Sequence, residues 1–223
     1  MKQYFKLYFI LFSLLLFIGI FTSCKKDKQK ITINGTVYDP NTKTYVSNAH
    51  VTLSASMVSS GFYNSNYTEV ASTTTDGSGA FSFNFDKLKS AGYRIYISKE
   101  NYFDNTIDID DASVVAGTPY TAKYDLYQIA WMKLHVTHTT PHDSSDYIAY
   151  DYSSTGLPTC FGCCSNNIFK AYGMTYDTTL RCKTYGSRYM KINWHVIMFG
   201  WDALQSDSVF CTPFDTTLYT INY

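Results

Sequence analysis

Proline is scarce in this chain, with 5 residues in 223, and no charge predominates, with 18 Lys and Arg against 18 Asp and Glu. Balanced charge without a basic stripe argues against a nucleic-acid partner. No His-x-x-Glu occurs anywhere, so a zinc-peptidase motif is missing. No nucleophile sits in a context that marks a Ser–His–Asp set, so the chain reads as a non-enzyme with no cofactor. Helical periodicity is also missing. The best amphipathic stretch is Asp86 to Ala91 (DKLKSA), one or two turns at most. There is a single long apolar run, Leu7 to Phe21, and no cysteine lies between Cys24 and Cys160.

Lys2 and Lys6 precede that run. As a helix it would span about 22 Å at about 1.5 Å per residue, short of a hydrocarbon core of about 30 Å. A basic start followed by a short apolar run is a secretory signal. Its end, Phe21-Thr22-Ser23-Cys24, resembles a bacterial lipoprotein signal, in which small residues precede the cysteine that is lipidated. The resemblance implies a signal peptide over residues 1–23, lipidation of Cys24, and a membrane partner reached through that anchor. Two or more acyl chains give stable anchoring where one gives only marginal binding. Lys25 to Lys30 (KKDKQK) is a charged tether of the kind seen in Bacteroidetes lipoproteins. The expected location is the bacterial cell envelope, lipid-anchored at the outer membrane, on a face left open.

The rest alternates. Ile31, Ile33, Gly35 and Val37 share one parity, as do Ala49, Val51 and Leu53, then Phe81, Phe83 and Phe85, then Tyr93, Ile95 and Ile97. Period-2 runs bury one face and wet the other, and turn signals every ten or so residues suggest a sandwich. The predicted fold is all-β, two antiparallel β-sandwich domains over residues 31–128 and 129–223. In the second, Met132, Leu134 and Val136 alternate. So do Met190, Ile192, Trp194, Val196 and Met198 within Tyr189 to Trp201, the strongest strand pattern and one expected at the centre of its sheet.

Four blocks in the first half carry a family resemblance. They are Gly35-x-Val37-x-Asp39, Val46-x-x-Ala49-x-Val51-x-Leu53, Thr75-Asp76-Gly77-x-Gly79-x-Phe81-x-Phe83, and Tyr93-x-Ile95 with Lys99-x-Asn101-Tyr102. Residues 31 to about 104 resemble the carboxypeptidase regulatory-like domain, a small sandwich of transthyretin-like topology. Asn101 stands where that family favours Gly, and Asn also tolerates positive φ. The resemblance implies a fold and a spacer-like module, not catalysis. The second half resembles no specific family.

Candidate ligand residues are aromatic. Met57 to Tyr67 (MVSSGFYNSNY) has the composition of a binding loop, with Phe62, Tyr63 and Tyr67 as contact residues. Its plainer reading is a long hairpin tip. Tyr147, Tyr150 and Tyr152 (DYIAYDY) form a second aromatic group.

Five cysteines follow Cys24: Cys160, Cys163, Cys164, Cys182 and Cys211. Disulfides are the default in an exported protein, and an odd number leaves at least one thiol free or paired between chains. The expected bridges join Cys182 and Cys211 each to the Cys160-Phe161-Gly162-Cys163-Cys164 loop. A redox pair at Cys160-x-x-Cys163 would need a strand-to-helix context, and zinc would need two close pairs.

No metal is expected. His135 and His138 fall on opposite faces of a strand, only the turn at Thr140-Pro141 could bring His138 and His142 together with Asp143, and the three read as a solvated strand end. Asp108, Asp110 and Asp111 lack the spacing of a calcium loop and read as a charged edge. The expected function is a non-enzymatic envelope binding module, with a glycan as the first ligand class. The alternative is a structural or assembly lipoprotein contacting another envelope protein.

Overall fold

Burial alternates along Lys30–Asp39 residue by residue, with Ile31, Ile33 and Val37 enclosed and Thr32, Asn34 and Thr36 on the wetter side. This strand, β1, is the seed of the first sandwich in a computed structural model that describes residues 29–59, 62–153 and 162–223. Beside β1 lie β2 (Thr44–Tyr45), β5 (Ala80–Asp86) and β8 (Tyr120–Asp125). The opposing sheet has the order β4-β3-β6-β7, from β3 (His50–Ser59), β4 (Phe62–Thr74), β6 (Ser90–Ser98) and β7 (Asn105–Asp110). Their inward residues meet in one core that includes Ile31, Ile33, Leu53, Tyr93 and Ile95 and ends at Leu126. Each enclosed aliphatic or aromatic side chain contributes about 1.5–3 kcal/mol relative to exposure.

A second core begins at Ala130. One of its sheets has the order β12-β9-β15, from β9 (Ile129–Thr137), β12 (Asp177–Tyr185) and β15 (Thr216–Asn222). The other has the order β11-β10-β13-β14, from β10 (Tyr147–Ser153), β11 (Phe169–Tyr172), β13 (Arg188–Met198) and β14 (Trp201–Cys211). As its sequence pattern predicts, β13 is interior to its sheet.

The all-β prediction holds, and the structure refines it. Most ladders are antiparallel, but β8 runs parallel to β1 and β15 parallel to β9. In each sandwich the last strand therefore flanks the first. Asp86 to Ala91 is not helical, because Phe85 and Tyr93 draw the segment into two strands, β5 and β6. The helical content of the described residues is a single 3-10 turn, Asp111–Ser113. Tyr189 to Trp201 is not one strand either. Phe199 (φ 42°) and Gly200 (φ 77°) form a tight turn that folds it into the β13–β14 hairpin. Asn101 takes φ 63°, the positive value its turn requires. Among the described residues no helix is long and apolar enough to cross a membrane.

The two sandwiches meet through aromatic rings and a buried acid. Phe103 and Tyr185 have ring centroids 4.5 Å apart, and Tyr102 and Phe214 are 5.6 Å apart. Asp39 is fully enclosed, and its Oδ1 accepts the Asn41 N–H at 2.9 Å. The Asn41 side chain in turn donates to the Gly186 carbonyl, 2.9 Å away in the second sandwich.

Candidate functional site

The outer face of the β11-β10-β13-β14 sheet is built in rows by its register. One row runs Lys170, Ala149, His195, Leu204 across the four strands. A neighbouring row runs Tyr172, Tyr147, Ile197, Asp202. On the other side Asp151 lies opposite Asn193, which lies opposite Ser206. Ala149 is the small residue in the middle. A depression of about 280 Å³ opens over it, bounded by Tyr147, Asp151, Lys170, Asn193, His195 and Leu204.

The rim is partly pre-set. Asn193 Nδ2 donates to Asp151 Oδ1 at 2.8 Å, and His195 Nε2 donates to Asp202 Oδ1 at 2.6 Å. The Tyr147 and Tyr172 rings pack 4.8 Å apart, with His195 edge-on to Tyr147 at 6.3 Å. Tyr172 is 70% exposed and Leu204 79%. Such a face offers ring surface for stacking, carboxylate acceptors, and amide and ammonium donors.

Sequence reasoning places only some of this site. Tyr147 is on it. Tyr150 and Tyr152 are not: they alternate to the inner side and are buried in the second core with Ile148. Burial and a 2.9 Å hydrogen bond to the Tyr176 hydroxyl hold the Tyr150 phenol neutral, far above the usual range. Both tyrosines are therefore core residues rather than ligand contacts.

The Met57 to Tyr67 stretch is no free loop either. It belongs to the long β3–β4 hairpin, with Ser56 paired to Tyr67. The Arg94 guanidinium covers the Tyr67 ring, 3.9 Å from its centroid. Asp108 fixes that Arg through bonds of 2.6 and 2.9 Å, and Arg94 holds the Asp108 carboxyl below the usual range. One face of Tyr67 is thus already occupied. The Phe62 and Tyr63 side chains lie outside the described residues.

Of the cysteines, Cys164 bonds to Cys182 as expected for Cys182. Cys163 is also disulfide-bonded. Cys211 is not: it is a free, buried thiol in the second core. Its position at the end of β14 packs it among apolar groups, and burial pushes its thiol up to about 11. Cys24 and Cys160 lie outside the described residues.

The histidines do not converge. His135 pairs with Asp177 at 2.9 Å, and His142 stacks on Phe199 at 4.8 Å. The His138 side chain is fully buried, not solvated, because it stacks on Tyr223 at 4.4 Å and faces Asp146. The acidic triplet is likewise split. Asp108 binds Arg94, Asp110 caps the 3-10 turn, and Asp111 accepts from Ser90 Oγ at 2.8 Å.

No family model matches the chain, and no curated protein matches it in sequence. Among solved structures it is similar to the Bacillus anthracis TIE protein, at 13% identity and a TM-score of 0.37 over 86% of this chain. The chain spans 34% of the length of that protein. It is similar to 3-chlorocatechol 1,2-dioxygenase from Rhodococcus opacus at 15% identity and a TM-score of 0.32, covering 46% of this chain and 61% of that one. Shaft pilin SpaA from Lactobacillus rhamnosus GG is similar at 9% identity and a TM-score of 0.31, covering 87% and 97%. At these TM-scores the likenesses carry no activity.

Proposed function

We propose that this chain is a non-enzymatic lipoprotein of the bacterial cell envelope, anchored at Cys24, whose second sandwich captures a glycan. The observation that carries the reading is the depression over Ala149, with Tyr147 beside it and Asp151, Asn193, Lys170 and His195 around it. A sugar ring has an apolar face and a rim of hydroxyls. It therefore needs a ring to stack on and a mixed set of donors and acceptors at the edge. The first sandwich serves as a spacer of the carboxypeptidase regulatory-like kind. The positive φ of Asn101 and of Gly79, within two of the matching blocks, supports that assignment.

Binding to a glycan array tests the function. Reproducible binding to one glycan class that is lost in Tyr147→Ala, and blocked by Ala149→Leu, is the expected result. The leucine fills the depression without touching the core, so that variant should unfold like the parent. A second reading, contact with another envelope protein, draws on Leu204 and Ile197, which expose apolar surface on the same face. It predicts that array binding is absent and that Leu204→Lys abolishes capture of the partner.

A further inference from the structure

The opposite side of the second sandwich carries a feature that the Tyr147 face does not use. On the outer face of β12-β9-β15, the register sets Arg181 directly opposite Lys133 and Lys183 directly opposite Trp131. Like charges directly opposite each other on a strand pair are destabilising. No carboxylate among the described residues pairs with Lys133, Arg181 or Lys183. The one acid on this face, Asp177, is taken by His135 at 2.9 Å. On the far flank β15 contributes Thr216 opposite Trp131, Leu218 opposite Lys133 and Thr220 opposite His135. Arg181 and Lys183 are exposed, and Trp131 and Lys133 half-buried.

We propose that this face binds an acidic polysaccharide. Its carboxylate or sulfate groups lie over Lys133, Arg181 and Lys183, and a sugar ring lies against Trp131. The three cations occupy neighbouring sheet positions, about 4.8 Å apart across strands and about 7 Å along one. Arg181 supplies the planar fork that fits a carboxylate or sulfate in two contacts, and Lys133 and Lys183 supply point charges. The hydroxyls of Thr216 and Thr220 reach sugar hydroxyls. Trp131 is half-buried beside Lys183 and Thr216, and Leu218 is the one large apolar side chain exposed on this face among the described residues. A single leucine gives an acyl boundary little apolar area to bury, which suits an extended sugar polymer better than a bilayer. Three cations on a chain of net charge +0 are too few for a nucleic acid.

The test is affinity electrophoresis of the purified protein through gels containing polygalacturonate, dextran sulfate or neutral dextran, at low and at moderate salt. Retardation by an acidic polymer and not by dextran, weakening as salt rises, is expected. The double variant Lys133→Thr/Arg181→Thr should weaken it by about tenfold or more, and Trp131→Ala should weaken it too. The double variant should melt at the same temperature as the parent or higher, since it removes a like-charge pair. No retardation at low salt overturns the proposal, as does equal retardation of the double variant. Loss of acidic-polymer binding in Tyr147→Ala alone would assign the binding to the other face. Sedimentation with phosphatidylglycerol vesicles, without retardation by either acidic polymer, would replace the polysaccharide with a lipid surface. Failure of the Tyr147 face on the glycan array leaves each of these outcomes readable.

Discussion

His138 Nε2 lies 3.3 Å from Asp146 Oδ2, and both side chains are shut away from water. The pair does more than fill space. His138 Nδ1–H donates to the Gly173 carbonyl at 3.1 Å, and the Gly173 N–H donates to the Asp146 carbonyl at 2.8 Å. Asp146 Oδ2 also accepts the His142 N–H at 2.7 Å. Gly173 follows Tyr172 and Asp146 precedes Tyr147, so the pair frames the two tyrosines of the candidate site.

His138→Leu leaves the Gly173 carbonyl without its imidazole donor and removes the ring stacked on Tyr223. It should cost about 1–3 kcal/mol of stability, read from the midpoint of urea unfolding. His138→Gln keeps a donor for Gly173 and should recover some of that loss. If the leucine variant unfolds like the parent, the pair is not structural.

Gly35 tests the packing of the first core. A Cβ there would collide with the Phe81 ring and stand 2.6 Å from Tyr124. Phe81 is itself buried and has nowhere to retreat. Gly35→Ala should destabilise the protein by about 1–3 kcal/mol, seen as a lower melting temperature. Gly77→Ala, where a Cβ meets nothing within 4 Å, is the control.

Asp39 makes stability depend on pH. Burial at the junction raises its carboxyl above the ordinary 3.8, outweighing its hydrogen bonds to Asn41 and Thr42. The folded state therefore holds the proton more tightly than the unfolded chain. The associated stability is complete below the ordinary value and is lost as pH rises through the raised one. Asp39→Asn keeps an oxygen for the Asn41 N–H and removes the buried charge. It should flatten the fall in melting temperature over that acidic window and raise it at neutral pH.

Cysteine mapping gives a sharp outcome. Peptides from the non-reduced protein should show Cys164 joined to Cys182, with Cys211 as the free thiol. Native Cys211 should resist iodoacetamide at neutral pH, with its thiol near 11, and react once the protein is unfolded. Replacing both Cys164 and Cys182 by Ser removes a bridge spanning 18 residues and should cost about 3 kcal/mol.

How far the sequence leads depends on whether a feature is local. The alternation at Ile31, Ile33 and Val37 announces both strand and buried face, because apolar side chains repeat every second residue. Tyr147 and Tyr150 were separable by parity, yet tyrosine suits either side of a sheet. Ile148, of the same parity as Tyr150, was the signal for the inner face. The Gly200 turn was legible as a glycine inside a strand pattern. Ala149 as the floor of a depression was not, since its meaning comes from His195 and Lys170 on other strands. The Lys133–Arg181 pair is hidden for the same reason. Register joins residues that sequence keeps apart, and a balanced composition conceals a charged face.

The parallel pairing of first and last strands gives each sandwich a mechanical character. Because β1 and β8 run side by side in one direction, the start of β1 and the end of β8 lie at opposite ends of their ladder. The same holds for β9 and β15. On the proposed reading, tension between an anchor at Cys24 and a ligand held by the second sandwich would enter the first through β1 and leave through β8. It loads the backbone bonds of that ladder together, in shear, where a hairpin pulled from its open end would lose its bonds singly, in succession. Anchored at Cys24, such a chain would hold its grip under flow.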